Sequence, residues 1–282
     1  MNIAVVDLTP KEYHLKIFEE LAKNLCKSLN KSGYNAIISN KIIYKNYKNI
    51  ILGTTFLKLR KNFLFFTLKN TLPKNTILYN FESYFHNRLW FNKTIKFFYK
   101  NYEVWDYSYN NAKNLKKLGI KVKKVLPVIF PYKKKYKLKK KNIDVLFVGS
   151  LSKRRKKIIN QIRNYGLNVF ASENIRSPKE LEKLVLKSKL FLNVHYYGLR
   201  ELEQARICPY ISSGTVILSE KSLYKDENKL FSKAIILEKY SGIAKKAANL
   251  LKSNSNLDFF LKKSFIFAKK NRVEGLLKNI FL

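Results

Sequence analysis

The first half of the chain alternates short apolar runs with amphipathic stretches. Leucine and phenylalanine recur at spacings of three and four from Leu15 to Leu29, which predicts a helix that Gly33 ends. Short apolar runs predict buried strands at Asn2–Asp7, Tyr34–Ser39, Asn49–Leu52 and Thr76–Tyr79. Strands that alternate with helices indicate a parallel sheet covered on both faces.

The same alternation continues beyond one segment that we leave unassigned. Residues 53–70 fit a helix or an irregular aromatic segment equally well. A strand over 102–106, a helix over 107–118 and a strand over 121–127 then complete the first half. The lysine-rich segment 131–142 breaks the periodicity, as a solvated connection between domains would. A basic strip that faces a membrane or another polyanion is the alternative interpretation.

The second half repeats the strand and helix alternation. An apolar strand over 143–148 runs into Gly149 and Ser150, and the basic helix SKRRKKIINQI follows. Further strands are predicted over 168–171, 190–194, 216–219 and 234–237. Helices are predicted over 178–187, 199–212 and 240–251, with two helical pieces in 257–282.

A length of 282 residues fits two domains of ordinary size better than one or three. The predicted fold class is therefore α/β, with two Rossmann-like domains that face each other across a cleft. We place the first domain at 1–130, the linker at 131–142 and the second domain, with the C-terminal helices, at 143–282.

The net charge of +38 predicts attraction to polyanions such as nucleic acid, anionic lipid or phosphate-bearing substrates. Lysine, asparagine, isoleucine, tyrosine and phenylalanine are all plentiful, so the coding bias of an AT-rich genome is a second source of the excess. Only two cysteines are present, in segments predicted as helices of different halves, which favours a reducing compartment.

A secretion signal is not evident at the N-terminus, and we find no apolar stretch of roughly 18 residues. The expected location is the cytoplasm, with a peripheral position on the inner face of the membrane as a further expectation. The lysine-rich segment 131–142 motivates that membrane contact.

The segment FVGSLSKRRKK, residues 147–157, carries the first chemical signal. A small-residue turn at Gly149 and Ser150 lets backbone N–H groups approach an anion, and the following helix adds its positive N-terminus. Arg154, Arg155 and Lys156 add side-chain charge that suits phosphate. A solvated charge run is the alternative interpretation.

The segment LNVHYYGLRELEQARICPYISSGTVILSE, residues 192–220, carries the second signal. His195 and Tyr196 follow a predicted strand, at the end where open α/β sheets bind ligands. Glu203 comes shortly after, and a carboxylate there can accept hydrogen bonds from vicinal ribose hydroxyls. A helix N-terminal acid is the alternative role for Glu203.

The order GSLSKRRKK, LNVHYY, LEQARI and SSGTVILSE resembles the donor-binding domain of GT-B glycosyltransferases, in particular short bacterial and viral proteins of that kind. The segments ILYNFES and YEVWDYSYNNAKNLKKLGIKV resemble the first domain. The resemblance implies transfer of a sugar from a nucleotide-activated donor to a glycan or lipid-linked acceptor, as in polysaccharide biosynthesis. It implies no cofactor beyond that donor.

The resemblance also assigns individual residues. Retaining members of the group have a pair of glutamates, of which Glu203 matches the second, the ribose-binding one. His195 stands at the place of the first, so this chain departs from the common pattern near the donor sugar. The cations that grip the diphosphate would correspond to Arg155 or its neighbours. Transfer with retention and transfer with inversion both stay open.

Two residues are candidates for catalysis. His195 follows an apolar strand, where a histidine is also commonly a structural residue. Glu82 follows a strand of the first half and could bind the acceptor or act as general base, with His86 as a further candidate for either role. No Asp-x-Asp motif and no cluster at metal-ligand spacing occurs, so no metal is expected.

Two other functions remain open. A basic nucleic-acid-binding protein would account for the charge and the many aromatic residues, but no recognisable nucleic-acid motif occurs. Nucleic acid is therefore not an expected partner. A catalytically silent GT-B-like protein that binds nucleotide is the other alternative, because the position of the first glutamate is changed to His195.

Overall fold

A computed structural model describes residues 1–9, 17–43, 45–58, 72–84, 91–128, 141–175, 177–198 and 200–281. The chain forms two compact units. The first consists of Met1–Val128 together with Val273–Leu282, and the second of Ile129–Arg272. Most of the segment left unassigned, most of the predicted linker and His86 lie outside the described residues.

The first unit is built on a parallel six-stranded sheet in the order β2-β1-β3-β4-β5-β6. Its strands are β1 Asn2–Asp7, β2 Asn35–Ser39, β3 Lys48–Leu52, β4 Ile77–Asn80, β5 Glu103–Asp106 and β6 Val122–Val125. Its described helices are α1 Ile17–Lys31, α2 Lys93–Asn101, α3 Tyr109–Lys116 and α10 Val273–Leu277, with a 3₁₀ turn at Thr54–Lys58.

The second unit is built on a parallel five-stranded sheet in the order β11-β10-β9-β7-β8. Its strands are β7 Ile143–Val148, β8 Val169–Ser172, β9 Ser188–Asn193, β10 Val216–Glu220 and β11 Ile236–Glu238. Its helices are α4 Lys153–Asn164, α5 Pro178–Lys187, α6 Gln204–Ile207, α7 Lys225–Phe231, α8 Ile243–Leu251 and α9 Asn254–Lys270, with 3₁₀ turns at Cys208–Tyr210 and Tyr240–Gly242.

Central strands of both sheets are buried on both faces. In β1, residues Ile3 to Val6 have no exposed surface, and Val145 to Phe147 of β7 are equally buried. A continuous apolar run of this kind is what a parallel strand between two helical layers requires. The structure confirms the predicted strands and the predicted α/β class.

The predicted helix over 199–212 is wrong in extent. Only Gln204–Ile207 is α-helical, and Cys208–Tyr210 continues as a 3₁₀ turn. Pro209 lies within that turn, where its ring prevents ordinary helical hydrogen bonding. Two helices, α2 and α7, were not predicted.

The end of the chain belongs to the first unit rather than to the second, so the placement of 273–282 with the second domain is wrong. The Ser32 hydroxyl donates to the Glu274 carbonyl at 3.2 Å, which joins α1 to α10. Phe281 packs on Trp105 and Tyr34, with ring centroids 5.6 and 5.1 Å apart. Local periodicity predicts these helices but not the surface that they cover.

Lys141, at the end of the lysine-rich segment, is not solvated as that segment was expected to be. Its ammonium donates to the carbonyls of Ser188 at 2.7 Å and Gly214 at 2.6 Å. The Thr215 hydroxyl lies 3.3 Å away. Burial lowers the pKa of Lys141 to about 8, and the oxygen atoms around it offset part of that cost. Lys141 thereby ties the start of β7 to β9 and β10.

No helix within the described ranges is long and apolar enough to cross a membrane.

The substitution Lys141→Met should lower the free energy of unfolding by about 1–3 kcal/mol, because two buried carbonyls lose their donor. Chemical denaturation monitored by circular dichroism measures this. Lys183→Met is the matched control, since Lys183 is exposed on α5. Equal denaturation midpoints for the two variants would contradict a structural role for Lys141.

Candidate functional site

The second sheet reverses its strand order between β7 and β9. From β7 the chain moves to β8 on one side and then to β9 on the other. Open α/β sheets bind ligands at the carboxyl ends of the strands that flank such a switch point. The segments after β7 and β9 are 149–152 and 194–198, so both predicted signals meet at one crevice.

Gly149 makes the turn after β7, with a φ of +133° that side-chain-bearing residues rarely adopt. Ser152 is the N-cap of α4, and its hydroxyl accepts the backbone N–H of Arg155. The carboxylate of Glu173 accepts the N–H of Leu151. Glu173 therefore already accepts a hydrogen bond from one of the backbone N–H groups of this turn, which were expected to face a phosphate.

Arg154 forms an ion pair with a carboxylate of its own unit. Both terminal nitrogens of its guanidinium pair with Glu220 at the end of β10, and Nη1 also donates to the carbonyl of His195 at 2.9 Å. The ring of Tyr240 lies under the guanidinium, 3.9 Å from its central carbon. These contacts make Arg154 a structural clamp between α4, β9 and β10.

Arg155 lies deeper and is only 4% exposed, so its side chain is not part of a solvated charge run. Its Nε donates to the Val194 carbonyl at 2.8 Å and its Nη1 to the Ser150 carbonyl at 3.0 Å. Its Nη2 lies 3.3 and 3.4 Å from the two carboxylate oxygens of Glu203. Arg155 and Glu203 therefore form a buried ion pair that joins the two segments of the crevice.

Glu203 precedes α6 but does not cap it, since its side chain makes no capping hydrogen bond. Burial alone would raise the pKa of its carboxyl, but the charges of Arg206, Arg155 and Arg200 more than offset this. The pKa of Glu203 therefore lies below its usual value. Its long contacts with Arg155 leave acceptor capacity on a carboxylate that stays ionised.

His195 has no exposed surface. Its Nε2 lies 3.1 Å from the carbonyl of Lys221, which can only accept, so Nε2 carries the proton. Its Nδ1 faces Glu203 at 4.0 Å and has no hydrogen-bond partner in the described part of the chain. Burial lowers the pKa of His195, which favours the neutral imidazole.

The remaining residues that the sequence singled out are nearer the surface. Ser150 and Lys156 are exposed, and Tyr196 is 37% exposed. The ring of Tyr196 lies 5.3 Å from the guanidinium of Arg155, and the ring of Tyr197 packs against it. The crevice thus has an aromatic rim beside its buried cations.

Glu82 lies in the first unit, after β4. Its backbone carbonyl accepts hydrogen bonds from the amides of Asn80 at 2.9 Å and Asn111 at 3.0 Å. The same two amides donate to the buried carboxylate of Asp106, each at 2.8 Å. A buried polar network therefore fixes the backbone at Glu82, while the other candidate, His86, lies outside the described residues.

Sequence reasoning missed three residues of the second unit. Glu220 and Tyr240 hold Arg154, and Arg206 lies against Gly149. A clue to Glu220 was its place at the end of a predicted strand, where ligand-facing residues occur. No local pattern identified Arg206, since its neighbours come from β7 and β9.

Within the described ranges, no three side chains among His, Cys, Asp and Glu lie close enough to hold a metal ion. Cys26 and Cys208 are both buried and free.

The substitution Arg155→Ala should lower the free energy of unfolding by about 3 kcal/mol, because Glu203 loses its ion-pair partner and two carbonyls lose their donor. Urea denaturation measures this. Lys156→Ala removes an exposed charge from the next position of the same helix and should leave the midpoint nearly unchanged. An equally stable Arg155→Ala variant would contradict the ion-pair geometry.

No protein-family model and no curated protein matches the chain. Solved structures do match it. T4 phage BGT in complex with UDP and Mn²⁺ is 15% identical, with a TM-score of 0.62 over 100% of this chain and 98% of that one. A structure of the DNA modifying enzyme β-glucosyltransferase, with and without uridine diphosphoglucose, is 14% identical with the same TM-score and coverages.

A third similar structure is a mutant of S. aureus TarM in complex with fondaparinux, α-GlcNAc-glycerol and UDP. It is 11% identical, with a TM-score of 0.54 over 82% of this chain and 53% of that one. At these identities the likeness concerns the fold. Together with the two parallel sheets, it establishes that this chain has the two-domain, Rossmann-like GT-B fold of glycosyltransferases.

Proposed function

We propose that the protein transfers a sugar from a nucleoside diphosphate sugar, bound at the crevice of the second unit, to a hydroxyl-bearing acceptor. The carrying observation is the cluster of guanidinium groups around Glu203, at the switch point of the sheet. Three of the similar structures are described with UDP or uridine diphosphoglucose, which supports a nucleotide donor.

The charge of the crevice supports a diphosphate. Arg154 is neutralised by Glu220, whereas Arg155 and Arg206 both face the single carboxylate of Glu203. These two cations, with Arg200 as a third guanidinium near the same carboxylate, leave positive charge that a diphosphate complements. The same charge would stabilise a departing nucleoside diphosphate, which is the step that sugar transfer from such a donor requires.

Glu203 supports recognition of the nucleoside. We propose that its ionised carboxylate accepts hydrogen bonds from the ribose hydroxyls, since it lies in the segment that follows β9 and makes no capping hydrogen bond to the following helix. His195 is buried behind it, with Nδ1 towards the carboxylate. Its complete burial and its Nε2 contact with the Lys221 carbonyl favour a structural role for His195 over direct chemistry on the sugar.

Metal independence is part of the proposal. The arginine cluster supplies positive charge where other transferases use a bound cation, which supports transfer without a metal. The structure of T4 phage BGT is described as a complex with UDP and Mn²⁺, so an assay of this protein should include a metal chelator.

Glu82 is proposed as the general base for the acceptor. Its backbone is fixed by the network of Asn80, Asn111 and Asp106, which suits a side chain that must hold one orientation. A glycan is the proposed acceptor, and a lipid-linked glycan on an anionic membrane is the narrower form of it.

Transfer to nucleic acid is a second candidate. Exposed lysines line α2, α3 and the turn after α3, at Lys93, Lys96, Lys100, Lys113, Lys116 and Lys117. Phe97 and Tyr109 on the same helices are 52% and 65% exposed. Phosphate neutralisation with exposed aromatic rings suits a polynucleotide, and one protein of similar fold is described as DNA modifying.

The expected result of a donor screen is release of nucleoside diphosphate from at least one nucleotide sugar, undiminished by EDTA. Coupled detection of the released nucleotide measures it, with oligosaccharide, lipid-linked glycan and duplex DNA in separate arms. The arm that accelerates release identifies the acceptor class. Binding of nucleotide without release in every arm would make the protein a silent GT-B-like binder, and loss of release in EDTA would overturn metal independence.

The substitution Glu203→Gln should reduce the preference for ribose. UDP should bind the wild type more tightly than 2′,3′-dideoxy-UDP does. We expect this difference in binding free energy to shrink by about 1–3 kcal/mol in the variant, because the charged acceptor of the hydroxyls is lost. Isothermal titration measures both ligands. Glu182→Gln, an exposed change on α5, is the matched control. An unchanged difference with altered melting temperature would assign Glu203 to the ion-pair network alone.

A further inference from the structure

The guanidinium of Arg206 has buried nitrogen atoms for which the described residues provide no hydrogen-bond acceptor. Its guanidinium lies 4.6 Å from the ring centre of Phe147 and 6.0 Å from that of Phe191, both in strands that flank the switch point. Its Nε and Nη2 atoms are buried and have no hydrogen-bond partner among the described residues. The donors of Arg154 and Arg155, by contrast, are engaged with carbonyls and carboxylates.

Gly149 makes room for this side chain. A Cβ atom at Gly149 would lie 2.8 Å from Nη1 of Arg206, closer than such atoms pack. The positive φ of Gly149 already favours glycine for the turn itself. A side chain at position 149 would therefore displace the Arg206 guanidinium from its place beside the turn.

This arrangement costs folding energy when no ligand is bound. Burial lowers the pKa of Arg206 to about 10, the charge of Arg155 adds to that shift, and only Glu203 and Tyr210 oppose it. Buried guanidinium groups without hydrogen bonds destabilise a fold, since the lost hydration is not replaced. A binding anion that supplied the missing charge and acceptors would remove that cost.

We propose that Arg206 is the cation that receives the diphosphate of the donor, in the role that the sequence had indicated for Arg155 or its neighbours, and that Gly149 leaves space for it beside the turn. The inference rests on the proposed function, since it names a residue of the same site. Arg154 is held by Glu220, and Arg155 is held by Glu203 and two carbonyls. Arg206 is left with donors for an anion.

The test compares Arg206→Gln with the wild type in titrations with uridine, UMP, UDP and inorganic pyrophosphate. We expect Arg206→Gln to bind UDP and pyrophosphate about 10- to 100-fold more weakly, with little change for uridine. The ligand-free variant should melt at the same temperature or higher, because a poorly paired buried cation is gone. Arg163→Gln makes the same charge change at the exposed far end of α4 and should leave all four affinities unchanged.

Gly149→Ala is the second variant and should reproduce the loss for UDP by displacing the guanidinium. If Arg206→Gln retains wild-type affinity for UDP and pyrophosphate, or melts at a lower temperature with the affinity of the folded fraction unchanged, the proposal is wrong and Arg206 is structural. Pyrophosphate binding that depends on Arg206, in a protein that turns over no nucleotide sugar, would uphold this inference and defeat the proposed function.

Discussion

The buried ion pair between Arg155 and Glu203 holds the crevice of the second unit together. It joins the first turn of α4 to the segment that follows β9. The Arg155 guanidinium also donates hydrogen bonds to one carbonyl after β7 and one after β9. A second pair, Arg154 with Glu220, joins the same turn to the end of β10. Two adjacent arginines thereby connect the carboxyl ends of three strands, β7, β9 and β10.

In the first unit, amide side chains hold the ends of β4 and β5 together. The carboxylate of Asp106 accepts from Asn80 and Asn111 and has no exposed surface, while the Tyr99 hydroxyl donates to Asn80 at 3.0 Å. Amide donors satisfy a buried carboxylate without placing a second charge in the core. The backbone at Glu82 is held by these amides, whereas the crevice of the second unit contains several charged side chains.

The consecutive basic residues Arg154, Arg155 and Lys156 illustrate which features of the site the sequence could predict. Their charge predicted a phosphate-binding site at the start of α4, whereas the structure shows two of them in ion pairs with Glu220 and Glu203. Successive residues of a helix point in different directions, so the three side chains cannot share one ligand. Arg154 turns towards β10, Arg155 towards β9 and Lys156 towards solvent. Their separate roles follow from what each direction meets.

The sequence by itself determined the α/β class, the strands of both sheets and the segments at the switch point, because buried parallel strands are continuous apolar runs followed by small or polar turns. Tertiary structure decided the pairings. The last helix lies with the first unit, Lys141 joins three strands, and Arg206 rests against Gly149. Each depends on residues far apart in the chain, whose approach is set by the packing of whole elements and leaves no local pattern.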